Sequence, residues 1–294
     1  MTDLVVWQGP VYDGQVPGAT IAEAERRFIP CVGDGIRTGR PHCPAFGDQI
    51  RGGGMPALLS KAGSKLSPSE VDDLYLAGFS AGGSTIKRLL EEQAFRDRTT
   101  GVYLADATYT SRWVDKKGRK PPPIEGFVAY AVDVANGPGD KLFVATASPI
   151  PNGQWATGAE NLVAMMEEVE KRTGKTFVER ADFFGVDPGP EKVYQLGNVI
   201  FAPYPMKPVG HGHTSIATQV FEKIFQPWVD KGKGPIDGPA LGPAKPGPTP
   251  QPPGGGPSPS PPDATPLSAA AKAGAVAAGV IGGLAAVWLV DKSG

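Results

Sequence analysis

An α/β fold, with a mostly parallel sheet of about six strands and helices on both faces, is what this chain predicts, and three observations carry that expectation. Short apolar runs such as Leu4–Trp7, Gly101–Ala105 and Lys141–Ala147 alternate with longer segments of helical character. One run, Leu74–Ala77, passes through Gly78-Phe79-Ser80-Ala81-Gly82-Gly83 into a helix-like stretch from Ser84 to Phe95, giving strand, sharp turn and helix in succession. At Gly232 the composition changes to Pro, Gly and Ser with almost no large apolar side chain, so the folded domain is expected over 1–231, with a Pro/Gly-rich linker over 232–267.

The 294 residues leave room for one good-sized domain plus extensions, and hydrophobic residues at 40% are enough to build a core. A formal net charge of −1 exerts no general pull on nucleic acid, so a nucleic-acid partner is not expected. Cys31 and Cys43 have neither the spacing nor the neighbours of a metal site; two unpaired thiols are expected, and a disulfide would need an oxidising compartment. Met1 to Trp7 runs straight into a strand, with no basic region and long apolar stretch, so no signal peptide is read there.

The turn at Gly78–Gly83 has the makings of a nucleophile elbow. A sharp strand-to-helix turn forces its central residue into a strained backbone conformation and demands small neighbours, which Gly78, Ala81, Gly82 and Gly83 supply. The Ser80 hydroxyl then stands at a helix N-terminus, where backbone N–H groups and the helix dipole stabilise a developing oxyanion. On Gly78-Phe79-Ser80-Ala81-Gly82 and the order of elements around it, the first 230 or so residues resemble the α/β-hydrolase superfamily, in a minimal form similar to the cutinases. The resemblance implies a serine hydrolase with a Ser…Asp…His order, beginning at what is the third strand of larger members. It narrows the chemistry more than the substrate, because the superfamily holds esterases, lipases, peptidases and inactive relatives.

In chain order, Leu4–Trp7 is the first strand and ends at Gln8-Gly9-Pro10. The resemblance implies that the loop after it gives the second oxyanion donor beside Ala81, often from a His-Gly pair; Gln8-Gly9 stands there instead, and a backbone N–H needs no particular side chain. Thr20 to Arg27 reads as a helix from the capping-box spacing of Thr20 and Glu23, with a strand over Phe28–Val32. Gly33–Gly54 reads as a long loop able to line a cleft, and Met55–Ala62 as a helix. Beyond the elbow, Gly101–Ala105 is a parallel strand with Asp106 at its carboxyl end, where catalytic groups of open α/β sheets gather. The cations from Arg112 to Lys120 form a surface loop. Phe127–Ala135 is a helix and Lys141–Ala147 a strand. No carboxylate follows that strand until Glu160, at the entry to a helix over Glu160–Thr173, and this strengthens Asp106 as the acid; a polar strand end is the bland alternative.

Val193–Leu196 and Val199–Ala202 flank Gly197-Asn198, and the second run is the last core strand. It leads to His211 and His213, two of the chain's three histidines, in a glycine-rich loop ahead of a helix over Ser215–Asp230. The fold keeps its general base there, and the sequence does not decide between the two. Ser80 would attack a carbonyl, His211 or His213 would take its proton, and Asp106 would fix the tautomer. No metal or organic cofactor is implied.

The C-terminal segment 268–294 contains Ala273–Val290, which carries no charge, and roughly 18 such residues is just enough to span a bilayer. Gly279 and Gly283 fall at a spacing that permits close helix pairing, so self-association through this helix is also expected. The expectation is a tail-anchored, membrane-bound esterase or lipase-like enzyme, its domain on the cytoplasmic side, acting on an ester substrate such as lipid or cell-envelope material. A catalytically silent binding or assembly module on a membrane is the alternative from another class, and peptidase or amidase action is open to the same residues.

Overall fold

Six parallel strands at the centre of an eight-stranded sheet frame the computed structural model, which describes residues 2–9, 25–30, 50–111, 114–115, 118–119, 124–149, 155–180, 190, 192–204, 225–231, 233–234 and 236. The main sheet comprises β1 (Thr2–Gly9), β2 (Glu25–Pro30), β3 (Val71–Phe79), β4 (Thr99–Ala105), β5 (Leu142–Ala147), β6 (Val178–Arg180), β7 (Val193–Leu196) and β8 (Val199–Pro203). Their spatial order is β6-β7-β8-β5-β4-β3-β1-β2. Every pairing from β2 to β8 is parallel, and β6 and β7 extend that edge antiparallel. The α/β class and the mostly parallel sheet are thus present, with the Gly197-Asn198 hairpin adding strands at one margin.

The helices are α1 (Gly54–Ala62), α2 (Gly83–Leu90), α3 (Gln93–Arg98), α4 (Glu125–Asn136), α5 (Gly158–Thr173) and α6 (Gln226–Asp230). From β2 onward each parallel connection runs in the same direction across the sheet, and right-handed crossovers then place their helices on one face. That face buries Leu58 and Leu59 of α1, Ile86, Leu89 and Leu90 of α2, Phe127 and Val134 of α4, and Leu162, Met165 and Val169 of α5. On the other face Phe225 and Trp228 cover Val5, Tyr75, Tyr103 and Val144. Phe225 seats against two tyrosine rings, with centroids 5.9 Å from both Tyr75 and Tyr103. The step from β1 to β2 runs the opposite way, so crossover direction reverses at β1. In open α/β sheets such a reversal opens a crevice at the carboxyl ends of the strands.

Two elements differ from the sequence expectation. Glu25–Arg27, expected to end a helix, are strand and pair with Leu4, Val5 and Val6 of β1. Local capping-box spacing lost to sheet pairing, and an edge strand tolerates such charged residues. The helix expected over Ser84–Phe95 breaks after Leu90, with Glu92 extended at φ −93° and ψ 127°. The stripe of Ile86, Leu89 and Leu90 would continue to Gln93 and Asp97, leaving Phe95 out of phase. The break rephases the chain so that Phe95 enters the core. The Arg96 guanidinium holds the corner, donating to Leu90 O and Asp133 Oδ2 at 2.8 Å each.

The chain divides into two units, Met1–Lys245 and Pro246–Gly294, and the second lies wholly outside the described residues, as does the span expected over Ala273–Val290. Among the described residues no helix is long and apolar enough to cross a membrane. The folded part also runs past Lys231. Lys233 forms an ion pair with Asp73, whose Oδ1 accepts from Thr100 Oγ1 at 2.7 Å. Trp228 Nε1 donates to Gly234 O at 2.7 Å, Ile236 N to Asn198 Oδ1 at 3.0 Å, and Gln195 Nε2 to Ile236 O at 2.9 Å. At about 0.5–1.5 kcal/mol per bond, a chain ending at Lys231 should be about 2–5 kcal/mol less stable than one ending at Lys245, measured by urea denaturation.

Beside this ion pair, burial and the neighbouring Asp73 and Asp72 charges raise the pKa of Asp3, against the opposing pull of Lys233. A carboxyl raised on folding adds stability below its unfolded pKa and loses it as pH rises through the folded value. Asp3→Asn should therefore raise the melting temperature at about pH 7 and leave it nearly unchanged at about pH 3, where both forms are neutral.

Candidate active site

The backbone of β3 stays extended to Phe79, at φ −118° and ψ 134°, and then turns at Ser80, whose φ is +53°. A non-glycine residue in the left-handed region costs about 1–2 kcal/mol, so the surroundings must impose it. Two close approaches do so. A Cβ at Gly78 would lie 2.7 Å from Ile86 Cδ1 and 3.2 Å from Gly83 N, and a Cβ at Gly83 would lie 1.7 Å from Ala107 O. The first turn of α2 therefore packs directly on the chain leaving β4, and the strand-to-helix corner has no room to relax. Gly82, the last glycine of the motif, has ordinary helical torsions of −61° and −28°. Ser84 Oγ donates to Ala81 O at 2.7 Å and braces the turn. Ser80 is half-buried at its apex.

Asp106 follows the end of β4 as Ser80 follows the end of β3. The two strands pair in parallel with Phe79 beside Ala105, so both residues stand one step beyond matched strand ends. Asp106 is also a non-glycine residue at positive φ, +42°, and its exposure is 0%. A buried carboxylate costs several kcal/mol unless its oxygens are satisfied. Oδ1 accepts from Ser148 N at 2.8 Å, and Oδ2 accepts from Ser148 Oγ at 2.6 Å and from Tyr109 Oη at 3.0 Å. Burial, and then the Asp106 charge, push the Tyr109 phenol well above its ordinary pKa, so it remains a proton donor across neutral pH.

The start of α5 closes over the same carboxylate. Thr157 and Glu160 form a reciprocal capping box, which ends the strand-to-helix link in a fixed geometry. A Cβ at Gly158 would come within 2.9 Å of both Asp106 Oδ1 and Ala147 Cβ, so the first residue of α5 must be bare to approach. The positive end of that helix dipole thus faces the Asp106 charge. Asn161, fully buried, ties Thr108 O to the same turn at 2.8 Å, and Thr108 Oγ1 donates to Gly158 O at 3.1 Å.

Of the residues expected at the site, the structure brings Gln8, Gly9, Ser80, Ala81 and Asp106 to the adjacent carboxyl ends of β1, β3 and β4. Gln8 pairs with Gly78, which sets Gln8-Gly9 beside the elbow and at the crossover reversal. His211 and His213 lie outside the described residues, as do Cys31 and Cys43. The chain reaches Tyr204 at the carboxyl end of β8, its N–H bonded to Ala147 O at 2.8 Å, and is described again from Phe225. Among the described residues no group of three His, Cys, Asp or Glu could hold a metal ion. Sequence reasoning missed Ser148 as a partner of Asp106. The signal available was its place, a hydroxyl at the strand end where a carboxylate was sought.

Comparison with protein-family models, with curated proteins and with solved structures finds no match to this chain, so its chemistry has to be read from its own residues.

Two substitutions test the geometry. Gly83→Ala should destabilise the domain by more than the usual 1–3 kcal/mol or so of an overpacked core, because the clash is with backbone. Ser80→Ala, which keeps the Cβ and removes only the half-buried hydroxyl, should leave stability within about 0.5 kcal/mol, as read by urea denaturation.

Proposed function

We propose that this chain is a serine hydrolase that cleaves a carboxylic ester through an acyl-enzyme, with Ser80 as nucleophile. The observation that carries the reading is the left-handed backbone of Ser80 at a tight strand-to-helix turn. Beside it, one strand over, a fully buried and hydrogen-bonded Asp106 is also held at positive φ. Strained residues of this kind cluster where geometry serves chemistry. Ser80 Oγ attacks the carbonyl carbon while a histidine takes its proton, and His211 or His213 fills that role by position after the last parallel strand. The oxyanion is met by the Ala81 N–H and by a backbone N–H from Gln8-Gly9. The protonated histidine gives its proton to the leaving alcohol, and water then repeats the steps on the acyl-enzyme, with Asp106 stabilising the imidazolium throughout.

The Pro/Gly-rich segment 232–267 and the uncharged Ala273–Val290 favour an enzyme tethered to a membrane, searching surrounding lipid or envelope esters. Gln8-Gly9 in place of a His-Gly pair keeps a silent binding module as the second reading, and amide cleavage needs no residue beyond those named.

A fluorophosphonate probe decides between catalysis and a silent module. The wild-type chain should label and Ser80→Ala should not; an unlabelled wild type overturns the reading. Of His211→Ala and His213→Ala, one should lower kcat on a p-nitrophenyl ester by about three orders of magnitude and the other only mildly. Equal, mild losses would remove both from catalysis.

A further inference from the structure

We propose that Ser148 and Tyr109 are positioning residues for the acid, fixing the plane and basicity of the Asp106 carboxylate that orients the histidine; this rests on the serine-hydrolase reading above. The three oxygens form a closed set. Ser148 Oγ and Tyr109 Oη each reach Asp106 Oδ2, at 2.6 and 3.0 Å, and lie 3.3 Å from one another. The Ser148 backbone N–H holds the other oxygen, Oδ1. A carboxylate gripped at both oxygens by one residue cannot rotate about its Cβ–Cγ bond, and the Tyr109 hydroxyl locks it from a second direction.

The two grips act differently. The N–H on Oδ1 belongs to the backbone just past β5, where Asp106 N itself bonds to Thr146 O at 3.1 Å, so this part is built into the sheet. The hydroxyls on Oδ2 are side chains, and either can be removed with the strand pairing left in place. Each hydroxyl draws negative charge from Oδ2 and so weakens the carboxylate as a partner for an imidazolium. Removing one leaves a freer and more basic acid. The histidine would then be oriented less well but hold its proton more tightly.

This position is also where the chain differs from an acid placed after the next strand. Ser148 occupies the carboxyl end of β5 and reaches back to an aspartate at the end of β4, 42 positions earlier. The hydroxyl serves the neighbouring strand's carboxylate instead of carrying one.

The test uses the full chain with Ser148→Ala, Tyr109→Phe and Ser148→Thr, a soluble p-nitrophenyl ester, and the fluorophosphonate probe. Ser148→Ala should lower kcat about tenfold, the loss expected when one hydrogen bond is missing from the transition state, with KM little changed. The acid limb of its kcat/KM profile should move to higher pH. Tyr109→Phe should shift the limb in the same direction by less, and Ser148→Thr, which keeps the hydroxyl, should restore the wild-type limb. A purely structural role would lower thermal stability while leaving the limb of the remaining folded enzyme in place. If wild type labels and hydrolyses but neither Ser148→Ala nor Tyr109→Phe moves the limb, the positioning role is wrong and the hydrolase reading stands. If the wild type neither labels nor hydrolyses, both fall.

Discussion

The contact between the first turn of α2 and the chain leaving β4 is the constraint on which the rest of the site depends. Gly83 sits so close to Ala107 O that no side chain fits between them, and Gly78 gives way to Ile86 from the same helix. With the helix this near, the chain leaving β3 has no extended path into α2, and Ser80 takes the left-handed conformation. The same contact sets the distance between neighbouring strand ends, so Ser80 and Asp106 keep the spacing of paired strands, about 4.8 Å. Core packing on that face, through Ile86, Leu89 and Leu90, supplies the free energy that holds the strained turn.

Charge follows from this packing. An aspartate at the end of β4 is enclosed on all sides, and the fold meets its ionisation with donors from three elements: the backbone and hydroxyl just past β5, a phenol three residues downstream, and the N-terminal end of α5. Removing the negative charge would not simplify this arrangement. An asparagine amide at position 106 would aim N–H groups at donors, so Asp106→Asn would lose hydrogen bonds as well as charge. Effects of that substitution on turnover and on stability are therefore coupled, whereas those of the hydroxyls around it separate more cleanly.

What the sequence made legible was local. Small residues around Ser80 announced the elbow because each is demanded by a neighbour a few positions away, and Asp106 was visible because it directly ends an apolar strand. The Ser148 contact was not, since it depends on which strand lies next to β4, a matter of order across the sheet that no local pattern records. The break at Glu91-Glu92 was hidden for a related reason: either phase of the helix is locally acceptable, and only burial of Phe95 selects between them. Thr20 and Glu23 have the spacing of a helix start, yet from Glu25 onward pairing with β1 prevails. The end of the domain was misplaced by composition, because Gly232, Gly234 and Pro235 look like linker while backbone groups nearby bind Trp228, Asn198 and Gln195.

Those last bonds also decide how the molecule bears tension. Asp73, Thr100 and Asn198 lie at or near the amino ends of β3, β4 and β8, so Lys233 and Ile236 are fastened at the edge of the sheet away from Ser80. At about 3.3 Å per residue, the length of β3 separates the two ends by about 25 Å. A pull applied through the carboxyl-terminal side of the chain is taken first by the Asp73–Lys233 pair and the Gly234 and Ile236 hydrogen bonds. These can give way one at a time while the opposite rim, where the strained serine and its carboxylate stand, keeps its shape.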